Sequence, residues 1–583
     1  MKRSIITMMA AGLLFLATAC QKEFLQKPDT TGTTTVETVF STRVGVESAL
    51  ANAYRSSLGQ GLWPDGSINN GTLPGISGEA SYGESWMSLS IFINSGFTPA
   101  GWDSRPAQSP DNFFTNFSAI RKCFIVLENV DEAVDMDNAA KAIVKAEMKG
   151  LIAYRYLGLF IRYGGVPLVT KALESTDDLN IPRASLQSTL DHILSLANEA
   201  YTGLPDSWES KYAGRLTRGA ALAIKARALT FAARPLFNSA EPYLASPADS
   251  VISFKSYNAQ RWVDAIQANE AVLTWAGQFG YAMIDTDNPL DDYGTATSLP
   301  NNAEVLLAFK YNVPGDKFFR FYNPAVNGER YLIDNYGLPT NFLENYYKAD
   351  GTDQQWPGAG ESNARPFSDY LARMNQLEPR FLADNMPHTM DARNNAGDNT
   401  WTYRVAGKGG NKGPSGRGRG AAVATKFYYK AGTRNWFEFP LFRIPEFYLS
   451  LAEAYNETDN PGAALQNLNK VHERAGLPAL AGTDKQALRK TIQREWAIEF
   501  FYENRRFFDV RHWKLENIGN GVLGGPVREL QFTIPGSDNL SASSYTNYYD
   551  QVVYTAYWDP KMFLLPIPQA EIDKGILVQN PGY

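Results

Sequence analysis

Cysteine is almost missing from this chain: two occur in 583 residues, Cys20 and Cys123. Two thiols exclude a disulfide framework and any cysteine-based metal site. Histidine is nearly as scarce. His192, His388, His472 and His512 stand far apart and none makes an HExxH pair, so no zinc-hydrolase signature is present. No apolar run reaches the ~20 residues needed to cross a bilayer. Excess positive charge is lacking too, since the net charge is −6, and such a chain does not seek nucleic acid electrostatically.

What is present begins at the first residues. Lys2 and Arg3 form a short basic region, Ile5 to Ala17 an apolar one, and Thr18 and Ala19 are small, which is the layout of a secretory signal. Cys20 follows directly, and the arrangement resembles the lipobox of bacterial lipoproteins, in which the thiol is acylated and the chain is cut before it. Ala17 stands where such boxes usually carry Leu, with Leu16 one step further out; an ordinary signal with a chance cysteine is the alternative. A cut before Cys20 removes residues 1–19, leaving 564 residues with a net charge of −8. Residues 20–38, including "KPDTTGTTTVET", are polar and read as a tether. Cys123, in "RKCFIVL", reads as a buried small hydrophobe.

Beyond the tether, the clearest periodicity is helical. Tyr448, Leu451, Ala452 and Tyr455 fall at i, i+3, i+4 and i+7, and Leu465, Leu468, Val471 and Ala475 repeat the stripe. Asn460 is a good cap, Pro461 suits a first helical position and Gly476 an end, so residues 445–476 predict a helical hairpin. Ala220, Ile224 and Ala228, opened by Thr217, predict a second pair with Trp262, Ala265, Ile266 and Leu273. "AEMKGLIAYRYLGLFIRYGG" and "SLQSTLDHILSLANEAYTGLP" predict a third. Small residues alternating with bulky aromatics are what tetratricopeptide hairpins use to stack, although insertions break the period here. The scaffold is expected mainly over 39–60, 115–280 and 440–515. Long irregular stretches are expected over 60–115, 280–440 and 515–560, and loops of such length tend to carry function.

Candidate chemistry is sparse. In "REWAIEFFYENRRFFDVRHW", Glu495, Glu499 and Glu503 recur every four residues and Arg506 follows, a spacing that gives ion pairs between helices more readily than a catalytic carboxylate pair. "DTDNPLDDYG" has the acidic density of a calcium loop, but Pro289 and Ala296 occupy ligand positions. "GKGGNKGPSGRGRG", residues 407–420, lacks the spacing of a phosphate cradle and of a nucleophile elbow, and reads as a basic loop. Aromatic residues are the surplus, with 12 Trp, 30 Tyr and 32 Phe. Rings in loops can present flat platforms on which the C–H face of a pyranose packs while its hydroxyls bond to Asn, Asp or Arg. "ESWMSLSIFINSGFTPAGWD" offers such a set: Trp86, Phe97 and Trp102 beside Asn94 and Asp103.

Several segments together resemble the SusD/RagB family of outer-membrane lipoproteins: "CQKEFLQKP", "ALANAYRSS", "YGGVPLVT", "RLTRGAALAIKARALTFAA", "PTNFLENYYKADGT" with "LEPRF", "FRIPEFYLSLAEAYNE" with "LNKVHERAGLP", "EFFYENRRFFDVRHW" and "LLPIPQAEIDKGILVQNPGY". Asn504, His512, Pro445 and Ile152 depart from the usual residues. The resemblance implies a mainly α protein, residues 39–583 forming one SusD-like domain with four tetratricopeptide-like helix pairs and a loop-rich ligand face. It implies Glu495, Glu499, Glu503, Arg506, Asp509, Arg511 and Trp513 as a structural motif. It also implies a non-catalytic, lipid-anchored surface protein without cofactor or metal, which captures oligosaccharide for a SusC-like TonB-dependent transporter. A peptide cargo, or less readily a surface glycosidase, is the alternative.

Overall fold

The computed structural model describes residues 35–59, 72–82, 93–94, 96, 98–100, 113–311, 336–387, 420–424, 426–427, 429, 437–515, 522–533 and 546–583. Cys20 and its signal, Trp86, Phe97, Trp102, Asp103, His388 and residues 407–419 lie outside them. The expected tether runs up to residue 38, yet Val36–Phe40 is already helical. Thr35 caps it by accepting from the Thr38 N–H at 3.2 Å, and Phe40 is buried.

Among the described residues, the helices that build the scaffold and brace it are α1 (Arg43–Leu58), α2 (Phe113–Asn129), α3 (Asn138–Tyr163), α4 (Leu186–Gly203), α5 (Arg218–Ala233), α6 (Gln260–Gln278), α7 (Pro289–Ser298), α8 (Pro379–Asp384), α9 (Pro445–Glu457), α10 (Pro461–Arg474), α11 (Lys485–Glu499) and α12 (Arg506–His512). Their starts are written locally. Asp137, Ser185, Thr217, Asn460 and Asp484 each accept a hydrogen bond from the backbone N–H three residues on, satisfying a donor the helix cannot use. Pro461 stands in the first turn of α10, and the chain leaves that helix through Gly476 at φ +80°.

The helices pack as pairs, α1 with α2, α3 with α4, α5 with α6 and α9 with α10, and each pair leans on the next: α2 on α3, α4 on α5, α6 on α9. Alanines make this spacing possible. In α5, Ala220, Ala221, Ala223, Ala226, Ala228, Ala232 and Ala233 are all buried, so α4 and α6 both approach its backbone. Gly219 lies under Trp275 of α6; a β-carbon there would sit 2.0 Å from the indole ring. α9 is buried beyond its expected stripe, at Leu449 and Ala454 as well as Leu451 and Ala452, because it packs against α6, α10 and α11 together. Each large apolar side chain so buried contributes about 1.5–3 kcal/mol.

The stretches 280–440 and 515–560, expected to be irregular, hold regular structure. Strand β1 (Val305–Tyr311) pairs antiparallel with β2 (Phe437–Arg443), and β3 (Gly525–Thr533) with β4 (Asn547–Ala556), with a bulge after Val527. β1 finds its partner more than a hundred residues away, so no local hairpin signal marks it. "DTDNPLDDYG" is the start of α7 rather than a cation loop. Its Asp292 accepts from the N–H groups of Thr286 and Asn288 and from the Thr286 hydroxyl, and its Asp291 accepts from the Tyr429 hydroxyl. Among the described residues no three His, Cys, Asp or Glu side chains gather as a metal site, and no helix is long and apolar enough to cross a membrane.

Candidate ligand-binding face

The acidic series that begins in α11 meets three arginines and a lysine brought from other parts of the chain. Arg380 of α8 donates to Glu378 (2.7 Å), Glu495 (2.5 Å) and Glu499 (3.2 Å). Arg443, at the end of β2, donates to Glu304 (2.9 Å), Glu499 (2.6 Å) and both oxygens of Glu503 (2.9 and 3.1 Å). Arg474 of α10 reaches Glu304 and Glu499. Lys426 donates to the Tyr293 hydroxyl at 2.8 Å and lies 2.8 Å from Glu503. Burial alone raises the Glu499 carboxyl, but the three guanidiniums overcome it and hold the group well below the usual carboxylate range. A carboxylate so held is a strut. Asp509 and Trp513 belong to a neighbouring knot: Arg234 donates to Asp509 at 2.6 Å, and the Trp513 indole to Glu453 at 2.8 Å. Arg511 is tied to the carbonyls of Met562 and Phe507.

Among the described histidines, His472 and His512 are buried as well, and His192 is half-buried. His472 pairs with Glu495 at 3.0 Å, and His192 meets the Tyr156 ring edge-on. His512 lies between Phe231 and Phe237, and burial pushes its imidazole down to about 3.

The segment that precedes the aromatic candidates is anchored by the turn after α11. The buried Glu79 accepts from the Tyr502 N–H at 2.7 Å and from the Ser77 hydroxyl at 2.6 Å, while Arg506 donates to the Ser77 carbonyl at 3.2 Å. Next, Ser81–Tyr82 pairs antiparallel with Tyr336–Gly337, which brings together the ends of two stretches distant in sequence.

Of the five candidate ligand residues only Asn94 is described, and it is exposed. Its segment is fixed by the C-terminal part of the chain: the Ile93 carbonyl accepts from the Tyr557 N–H at 2.6 Å, and the Pro99 carbonyl from the Gln569 N–H at 2.8 Å. Between them Gly96 has φ +72°, and a β-carbon there would stand 2.9 Å from the Met562 sulfur and 3.3 Å from the Tyr557 ring. Only glycine passes so close in that conformation. Tyr557 is 37% exposed, and its hydroxyl donates to Asp559 at 3.2 Å. It is the exposed ring beside Asn94 that sequence reasoning missed. Nothing local in "TAYWDP" distinguishes it from other surface tyrosines.

A scaffold of packed helix pairs defines the class, and comparison with known proteins supplies the family. The profile described as SusD family matches residues 298–583, and the one described as starch-binding associating with outer membrane matches residues 70–229. The chain belongs to the SusD/RagB family. It is 23% identical over 431 residues to SusD-like protein P38 of Formosa agariphila, covering 72% of this chain and 74% of that one. A 96-residue stretch is 34% identical to SusD-like protein P25 of the same organism and covers 17% of that protein. A crystal structure of a SusD-like protein from Bacteroides fragilis superposes with a TM-score of 0.73 at 22% identity, over 94% of this chain and 98% of that one. A laminarin-binding SusD-like protein superposes with a TM-score of 0.55 at 18% identity, over 93% and 100%. These likenesses carry the fold, and the family is one of carbohydrate-binding proteins.

Proposed function

We propose that this protein captures oligosaccharide at the cell surface, without breaking bonds, and passes it to a SusC-like TonB-dependent outer-membrane transporter. The observation that carries this is the match of residues 70–229 to a starch-binding, outer-membrane profile, because that range contains the whole aromatic segment around Asn94. A laminarin-binding neighbour supports a glucan or another neutral glycan as the cargo class. In this reading Trp86, Phe97 and Trp102 form the stacking platform, Asn94 and Asp103 bond to hydroxyls, and acylated Cys20 anchors the chain in the outer membrane. Anchoring beside a transporter raises the effective concentration, so modest affinity per contact suffices.

The test is a glycan array and affinity electrophoresis with the purified protein, repeated with Trp86→Ala and Trp102→Ala. Retention on one polysaccharide class, weakened in both variants and without release of reducing ends, is the expected result. Retention by peptides alone, or release of reducing ends by the wild type, would overturn the reading.

A further inference from the structure

Glu79 is buried where two distant parts of the chain meet: the turn leaving the short helix Thr72–Ile76, and the turn that follows α11. Its contacts there need more hydrogens than an ionised carboxylate leaves available. The Ser77 hydroxyl lies 2.6 Å from the Glu79 carboxyl and 2.7 Å from the Leu73 carbonyl oxygen. Each is the length of a full O–H···O bond, and a serine hydroxyl has one hydrogen to give. The Leu73 carbonyl can only accept. The second hydrogen therefore belongs to Glu79, which donates through one oxygen to Ser77 Oγ while its other oxygen accepts from the Tyr502 N–H at 2.7 Å.

The surroundings favour this neutral form. Burial pushes the Glu79 carboxyl up to about 7 from an ordinary 4.5, against the pull of Arg506 and Lys426. Among the described residues, the charged and titratable groups that face it are those two cations and the Tyr502 ring, itself pushed up by burial. Both cations also have other partners: Arg506 Nε donates to the Ser77 carbonyl at 3.2 Å, and Lys426 lies 2.8 Å from Glu503. The junction holds strain as well. Tyr502 takes φ +59°, a conformation that a bulky side chain rarely adopts, and its N–H is the one bonded to Glu79.

We infer that Glu79, Ser77 and Tyr502 form a proton-controlled latch: a proton shared between the Glu79 carboxyl and the Ser77 hydroxyl holds residues 72–82 against the turn after α11, and its loss to water in mildly alkaline medium loosens them. On ionisation the Ser77 hydrogen turns from Leu73 to Glu79, so the side chain gives up its tie to its own helix and a charge is left in the interior. Ser81–Tyr82 carries the pairing to Tyr336–Gly337, so the latch sets how firmly those two stretches are joined. It is independent of the cargo the protein carries. The folded chain keeps on Glu79 a proton that the unfolded chain releases, so the stabilisation is fully present below pH 4.5 and is lost as the pH rises through about 7.

Hydrogen–deuterium exchange of the full chain tests this, read as protection factors so that the intrinsic effect of pH divides out, with Glu79→Gln as the variant. Glutamine has the shape of the protonated acid: its amide donates to Ser77 and accepts from Tyr502, and it has no proton to lose. In the wild type, protection of residues 77–82 and of the Tyr502 amide should fall on the order of fiftyfold between about pH 5 and pH 8. In Glu79→Gln it should stay nearly level. Asp384 titrates in both proteins, so the difference between them isolates Glu79. A fall of the same size in both, or in neither, would overturn the latch. Should the variant not fold, the wild type alone decides: Tyr502 protection that falls further than that of the α4 amides supports the latch, and protection that tracks theirs overturns it.

Discussion

Arg234 grips Glu453 with two parallel hydrogen bonds, Nε at 2.9 Å and Nη2 at 2.8 Å, in a part of the core where the arginine is fully buried. The pair joins the end of α5 to α9, and through Asp509 it also holds α12. Removing one partner of a buried pair leaves a desolvated charge behind. Glu453→Ala should therefore cost about 3 kcal/mol in urea unfolding. Glu453→Gln, which keeps an acceptor for the guanidinium and the Trp513 indole, should cost less. Equal stability of Glu453→Ala and wild type would show that the knot carries no net energy.

Gly219 sets the distance between α5 and α6. Adding a methyl group under Trp275 requires the indole or the helix to move, and overpacking of this kind costs about 1–3 kcal/mol. Gly219→Ala should lower the melting temperature even though alanine is the better helix former. A raised melting temperature would mean that α6 moves freely.

Asp384 makes stability depend on pH. Its carboxylate accepts from Tyr293 (3.0 Å) and Tyr346 (3.1 Å), with Lys426 at 3.8 Å and the Glu499 carboxylate also nearby. Burial pushes it up to about 7 from an ordinary 3.8, against the pull of Lys426. The folded chain thus keeps a proton that the unfolded chain has released. This contribution is fully present below pH 3.8 and is lost as the pH rises through about 7. Asp384→Asn should gain stability relative to wild type between about pH 5 and pH 8, measured by urea unfolding at each pH. A difference independent of pH would refute the assignment.

Cys20 supplies a prediction from the proposed anchoring. Cys20→Ala should leave far-ultraviolet circular dichroism and melting unchanged while moving the protein from the membrane fraction to the soluble one. Continued membrane retention would place the anchor elsewhere.

The helical pairs were legible because their signals are local. Thr217 caps α5, and Asn460, Pro461 and Gly476 bracket α10, each acting within four residues of itself. The spacing of Glu495 and Glu499 suggested ion pairing, but not the partners. Arg380 and Arg443 come from segments distant in sequence, and no periodicity points to them. Strand β1 was missed for the same reason. The ring of Tyr557 became notable only when the fold set it against Gly96, more than four hundred residues earlier in the chain.

The charges around Glu499 carry a consequence for the medium in which such a protein works. Arg380, Arg474 and Glu499 are all shut away from solvent. Counter-ions that screen exposed pairs beyond about 8 Å at 0.15 M salt do not enter the interior. The joints between α8, β2, α10 and α11 should hold equally well in dilute and in concentrated salt. A scaffold braced in this way keeps its shape through swings in ionic strength that would loosen one held together by surface ion pairs.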